Sequence, residues 1–344
     1  MSQLLGAAIL GTGDVSGEYI KAFHRNPHTE VRAILSREAA RAEAKAREYG
    51  LERCRAYTDL DELLRADDIH VAAVCTPHHL HVEQGVACAQ AGKHVIVEKP
   101  VALDLEGLRK LDAAIRQAGV RSVVGFVLRW NPLFETIRAI LAEGLLGDLY
   151  YAEVDYLHGI TKDYRLYPWL RQRAFGGTAL LTAGCHAVDA VRWFLGLGRQ
   201  AREVFCYANA SRGNPLDYEY EPNSVALIQF EDGVMGKVAT SLEYMAPYTF
   251  PITLMGNRGV LRDNRLFTKN WPGQTGWAVI PTELPDSGAV THHPFTQLVA
   301  HFVDCVRSGT ESHASVADTV KTHEICLAAE LSKQEGRPVR LPLP

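Results

Sequence analysis

The stretch Leu4-Leu5-Gly6-Ala7-Ala8-Ile9-Leu10-Gly11-Thr12-Gly13-Asp14-Val15-Ser16-Gly17 decides how the first third of the chain is read. Residues 4–10 form an apolar run too short for a helix, and glycines follow it directly. Such runs suit a parallel strand covered on both faces. Gly11 permits a tight turn, and Gly13 lets a pyrophosphate approach the backbone. Ser16, with Gly17 beside it, is small enough for a helix to pack close to the strand. A helix starting here offers N–H groups and a partial positive charge to phosphates. With a strand before it and a helix after it, the loop reads as a dinucleotide site, with Thr12, Asp14 and Val15 completing it.

Outward from this loop the pattern repeats. Helical stretches at 18–25, 38–49, 80–91 and 105–118 alternate with short apolar runs at 31–35, 71–75, 94–97 and 120–126. That alternation predicts βαβ units and a doubly wound parallel sheet, an α/β Rossmann domain. Ligands in such sheets bind beyond the carboxyl ends of the strands. NAD sites usually carry an acidic residue about 20 residues past the glycines, at the end of the second strand. Here the strand ends in Leu35-Ser36-Arg37, with Arg41 one helical turn later. A hydroxyl and two guanidinium groups suit a 2′-phosphate, so the expected cofactor is NADP or NAD, with NADP favoured.

Composition bounds the rest. A chain of 344 residues suggests about two domains. With 47% apolar and 22% charged residues it can bury a core, which excludes long disorder. Thirty-six Lys and Arg against 40 Asp and Glu leave a net charge of −4, no footprint for nucleic acid or an anionic membrane. The first residues show no basic region or small-residue cleavage site, and no apolar run approaches the ~20 residues of a membrane span. Seven cysteines are scattered without a CxxC pair, so reduced thiols and a cytoplasmic location are expected.

Two further strand ends carry motifs. Thr76-Pro77 is followed by His78-His79-Leu80-His81, and Val97 by Glu98-Lys99-Pro100. Together with the glycine loop they resemble the Gfo/Idh/MocA family of nicotinamide-dependent oxidoreductases. The likeness continues through Arg129-Trp130-Asn131-Pro132, Trp169-Leu170-Arg171, Gly176-Gly177, His186, Asp189 to Trp193, Gly256-Asn257-Arg258-Gly259 and His293-Pro294-Phe295. It implies a Rossmann domain over residues 1–127 and an α/β domain with a large open, mostly antiparallel sheet over 128–344. The last helices and the tail at 337–344 are expected to pack back towards the first domain. The short runs at 225–230, 234–242, 252–255 and 260–262, punctuated by Asp232-Gly233, independently read as strands. The resemblance also implies a homodimer or homotetramer formed through the outer face of that sheet.

The activity so implied is hydride transfer between NAD(P) and a secondary alcohol or ketone of a sugar, sugar derivative or cyclitol. Such a reaction also moves a proton and needs a group to carry it. By position in Glu-Lys-Pro that group is Lys99, which would lie against the nicotinamide. His186 is the second candidate, since imidazole titrates near neutral pH, at ~6.5. The family helix carries an Asp four residues before this His; here that position is Thr182, which binds a hydroxyl but cannot act as a carboxylate. Either Lys99 and His186 suffice, or Tyr164, Asp163 or Tyr156 substitutes.

The segment 155–173 interleaves aromatics with charged residues, as a polyhydroxylated ring would require. That segment and the resemblance together imply substrate contacts at Lys99, Tyr156, His158, Tyr164, Thr182 and His186. Cofactor contacts are expected at the glycine loop, Ser36, Arg37, Arg41, Thr76, Pro77, His79, His81, Glu98, Lys99, Arg129, Trp169 and Arg171. His78-His79-x-His81 stands where the family has its cofactor loop, so no metal is expected, and Asp189 reads as structural. Two alternatives stay open: redox-neutral, NAD-dependent glycoside cleavage, and a catalytically silent cofactor-binding protein.

Overall fold

The computed structural model describes residues 4–285 and 290–344. It divides into two compact units, residues 1–127 with 289–320 and residues 128–288 with 321–344.

In the first unit the chain runs β1 (Leu5–Leu10), α1 (Asp14–Arg25), β2 (Thr29–Leu35), α2 (Ala39–Glu48), β3 (Arg55–Tyr57), α3 (Leu60–Leu64), β4 (Val71–Val74), α4 (His81–Gln90), β5 (His94–Val97), α5 (Leu105–Ala118) and β6 (Ser122–Val124). The strands form one sheet in the order β3-β2-β1-β4-β5-β6. Every pairing in it is parallel. The apolar runs are buried almost throughout, Val71–Val74 completely, because helices cover a parallel sheet. Local chemistry sets the helix ends. Asp104 caps α5 by accepting from the Gly107 N–H, and Gly119 ends it at φ +66°.

The second unit follows with α6 (Pro132–Ala142), β7 (Leu149–Val154), β8 (Tyr156–Leu157), α7 (Tyr167–Leu170), α8 (Arg173–Gly176), α9 (Cys185–Leu195), β9 (Ala201–Asn209), β10 (Asn223–Phe230), β11 (Met235–Ser241), β12 (Ile252–Gly256), β13 (Gly259–Arg262), β14 (Arg265–Thr268) and β15 (Ala278–Val279). Asn131 caps α6 and Pro132 opens it, a favoured start because proline lacks the N–H that would go unpaired. Past these elements, α10 (Phe295–Ser308) packs on α1 within the first unit, and β16 (Val339–Arg340) pairs with β9. Between them runs α11 (Val316–Glu335). The second sheet has the order β15-β14-β13-β12-β7-β11-β10-β9-β16, with β8 beside β11.

Apart from the parallel β7–β11 and β8–β11 pairings, this second sheet is antiparallel. Along β10, residues alternate between buried and outward-facing, the signature of a sheet covered on one side. The uncovered side carries Tyr207, Val225, Leu227 and Met235, which are 72%, 43%, 54% and 53% exposed. No helix among the described residues is long and apolar enough to cross a membrane.

Candidate functional site

Because the six strands of the first sheet run parallel, the turns after β1, β2, β4 and β5 open on one edge. β1 lies between β2 and β4, where the strand order reverses and α/β sheets bind their ligands. Gly11 sits at φ +108°, and a Cβ there would lie 2.8 Å from the Cys75 carbonyl oxygen. Only glycine satisfies both the angle and the approach. Gly13 is the N-cap of α1 and provides no side-chain cap. A Cβ at Gly13 would meet nothing within 4 Å, so the backbone is open on that side. An uncapped helix start behind an accessible backbone fits a pyrophosphate, and Gly11 to Val15 would hold it.

At the end of β2, Ser36 is buried and its hydroxyl accepts from the Glu38 N–H at 3.5 Å. Arg37 is exposed. Arg41 pairs with Glu38 at 3.2 Å, both side chains more than half exposed. Such a surface pair is weak, so Arg41 can exchange its partner at little cost. Past β4, the Thr76 hydroxyl donates to Gln84 Oε1 at 2.7 Å, and Pro77 opens a short 3₁₀ turn, His78–Leu80. His79 on that turn is exposed, whereas His81 is fully buried. Its Nδ1 lies 2.7 Å from the Pro100 carbonyl oxygen and its Nε2 2.8 Å from that of Thr76.

Past β5 the chain enters Glu98-Lys99-Pro100. Glu98 is buried and accepts the Tyr19 hydroxyl of α1 at 2.7 Å and the Lys99 N–H at 3.2 Å. Burial pushes the Glu98 carboxyl up from its ordinary range, while the Lys99 charge and the Tyr19 hydroxyl pull it back. Burial, then the Glu98 charge, raises the Tyr19 phenol well above its usual value. A Cβ at Gly125 would lie 2.5 Å from Glu98 Oε1, so the chain passes directly over the carboxylate. Lys99 itself is half-buried.

The second unit supplies a different kind of site. Leu180–Gly184 forms a π-helical turn running into α9, a distortion frequent at functional sites. Within it Gly184 lets the helix close on β11, since a Cβ would lie 2.1 Å from the Thr240 hydroxyl oxygen. His186, buried on α9, lies parallel to the Tyr156 ring, with centroids 6.2 Å apart. Tyr156 meets Tyr248 edge-on at 5.2 Å and Phe250 at 6.3 Å. His158 meets Tyr164 and Tyr248 edge-on at 5.8 and 5.4 Å, and the Tyr156 hydroxyl lies 3.4 Å from its Nδ1. Four of the expected substrate residues, Tyr156, His158, Tyr164 and His186, thus share one aromatic cluster. Burial raises the Tyr156 and Tyr248 phenols further above their ordinary value, at which a tyrosine hydroxyl is already protonated at neutral pH.

Other expected residues have partners inside the second unit. Arg129 is buried and forks onto Asp189, Nε to Oδ2 at 2.7 Å and Nη2 to Oδ1 at 2.5 Å. Its guanidinium also lies 5.0 Å from the Trp193 ring centroid. Asp189 accepts from the Thr322 hydroxyl at 3.0 Å, and that hydroxyl accepts from Arg192 Nη1 at 2.7 Å. Arg171 Nη1 donates to the carbonyl and side chain of Asp217 at 3.0 and 2.9 Å. Trp169 packs against the buried cluster of Ile160, Tyr167 and Leu170. The Thr182 hydroxyl donates back to the Gly176 carbonyl at 2.5 Å.

Tyr248 and Phe250 were not anticipated. Their only signal is the aromatic spacing of Tyr244, Tyr248 and Phe250 in the loop after β11, which belongs to no motif. Among the described residues no group of three or more His, Cys, Asp or Glu side chains is arranged to hold a metal ion.

Known proteins match this chain over both of its halves. The Gfo/Idh/MocA oxidoreductase family with NAD-binding Rossmann fold matches residues 5–126, and the Gfo/Idh/MocA C-terminal domain matches residues 134–262. A D-apiose dehydrogenase of Paraburkholderia graminis is 28% identical over 352 residues, covering 97% of this chain and 89% of that protein. The scyllo-inositol 2-dehydrogenase (NAD(+)) of Bacillus subtilis is 25% identical over 346 residues, covering 99% and 97%. Among solved structures, GenD2 from gentamicin A biosynthesis in complex with NAD superposes with a TM-score of 0.83 at 26% identity, covering 100% of this chain and 98% of that one. Both halves of the sequence match domains of one family, and the chain therefore belongs to the Gfo/Idh/MocA family of NAD-binding oxidoreductases.

Proposed function

We propose that the chain is a dehydrogenase that interconverts a secondary alcohol and a ketone on a sugar, sugar derivative or cyclitol. One observation carries the reading: Lys99 stands at the carboxyl end of β5, on the edge where the glycine turn opens, with its backbone held by the buried Glu98. The relatives named for D-apiose and scyllo-inositol support the substrate class. When bound, the nicotinamide supplies the hydride acceptor or donor. Lys99 takes the proton from the alcohol or returns it to the ketone, and His186 serves as the second proton-handling group. The parallel Tyr156 ring holds the His186 imidazole in orientation, and the hydroxyls of Tyr156 and Tyr164 orient the sugar hydroxyls. Thr182 directs its hydroxyl proton to the Gly176 carbonyl, which leaves Lys99 and His186 to share the proton transfer.

The preferred nucleotide in this reading is NADP. Ser36 and Arg37 replace the usual acidic residue at the end of β2, and Arg41 can leave Glu38 for a 2′-phosphate. The exposed apolar row Tyr207, Val225, Leu227 and Met235 supports a second copy of the chain on the outer face of the second sheet. The scattered cysteines fit a cytoplasmic location.

The deciding experiment titrates NAD+ and NADP+ against a panel of sugars and cyclitols, following both nucleotide reduction and product. Reduction that depends on a polyol, with stoichiometric ketone, is expected. Product without net nucleotide reduction would replace this reading with redox-neutral chemistry.

A further inference from the structure

We propose that His81 is the positioning residue of Lys99: its ring ties the loop after β4 to the turn that carries the lysine. This rests on the role proposed for Lys99 above. Two main-chain carbonyls on separate loops, those of Thr76 and Pro100, are each met by one nitrogen of this ring, at 2.8 and 2.7 Å. Carbonyl oxygens only accept, and burial favours the neutral ring with its single N–H, so the ring donates to one carbonyl at a time and to both only as the imidazolium. The ring is fully buried, and its contact to the Pro100 carbonyl is buried with it.

The rest of the neighbourhood points the same way. His81 is the first residue of α4, and Gln84, on the same helix, takes the Thr76 hydroxyl. The His78 ring lies against His81 with centroids 5.7 Å apart, which fixes the plane of the imidazole. On the opposite side of Lys99, its own N–H is held by Glu98, itself tied to Tyr19. The Lys99 turn is therefore held on both sides, at the Lys99 N–H by Glu98 and one residue later at the Pro100 carbonyl by His81, both buried. Neither ring nitrogen of His81 is left to bind a nucleotide, so the family position expected to contact the cofactor acts on the lysine turn instead.

The test compares His81→Ala and His81→Gln in the full chain, measuring kcat and, separately, the dissociation constant of the nucleotide by calorimetry. A displaced catalytic group costs rate rather than nucleotide affinity, so His81→Ala is expected to lower kcat about 30-fold or more while nucleotide affinity changes less than about threefold. His81→Gln, whose amide keeps an N–H donor for one of the two carbonyls on a differently shaped side chain, is expected to recover part of the rate. Affinity falling in step with kcat, or unchanged kcat in His81→Ala, would overturn the clamp. Should His81→Ala fail to fold, His81→Gln carries the test by the same criterion. Full turnover in Lys99→Ala would instead remove the role of Lys99, whereas an inactive Lys99→Ala beside a fully active His81→Ala removes the clamp alone.

Discussion

The two units place their polar groups by different means. In the first, the groups expected to meet a dinucleotide are main-chain atoms and side chains at or just past the ends of parallel strands. Gly11, Gly13, Ser36, Thr76 and Lys99 reach one edge because the sheet topology sends every strand end there. In the second, polar side chains are held by partners within the unit: Arg129 by Asp189, Arg171 by Asp217, Thr182 by Gly176. What remains is an aromatic and histidine cluster assembled from β8, α9 and the loop after β11. A backbone-built site is specified by motif spacing, whereas a side-chain-built site depends on which partners the fold brings within reach.

The largest expected effect separates chemistry from nucleotide binding. Lys99→Ala removes the proton carrier without touching the glycine turn, so kcat should fall by about 10² to 10⁴ with nucleotide affinity retained. Steady-state rates beside calorimetric titration read both; unchanged turnover would take Lys99 out of the mechanism. Next comes the second unit's buried pair, whose side chains are 1% and 3% exposed. Arg129→Ala strands the Asp189 carboxylate, and the cost to stability should be about 3–5 kcal/mol. Urea unfolding measures it, and a loss below about 1 kcal/mol, as for a surface pair, would mean that Arg129 has a role outside the core. The smallest effect tests the end of β2. Ser36→Asp with Arg37→Ala puts a carboxylate beside the 2′ position and removes a guanidinium, so NADP affinity should drop about tenfold more than NAD affinity. Equal losses for both nucleotides would refute the 2′-phosphate assignment.

Legibility in the sequence follows the same division. The apolar runs at 71–75 and 94–97 became β4 and β5 nearly residue for residue, since a strand buried on both faces must be apolar throughout. The helix read from residue 18 begins at Asp14, because Gly13 caps it and the apolar periodicity starts only one turn later. β3 went unread: Arg55-Ala56-Tyr57 is a three-residue edge strand with a charge in it and carries no periodic signal. The run at 120–126 shortens to Ser122–Val124, because the chain must turn at Gly125 to pass over Glu98.

In the second unit the alternation along β10 and β11 was visible, and so was the turn at Asp232-Gly233. The π-helical turn before α9 was not, and neither was the close approach of its Gly184 to Thr240, residues far apart in sequence. Tyr248 was missed for the same reason: only folding brings it against Tyr156 and His158.

The most direct test of the central claim uses a polyol substrate from the panel, labelled with deuterium on the carbinol carbon and incubated with the enzyme and the oxidised nucleotide. Mass spectrometry of the recovered nucleotide should show one deuterium on the nicotinamide ring and the matching ketone in equal amount. Product formed with no label on the nucleotide would contradict hydride transfer and, with it, the assignment of Lys99 and His186.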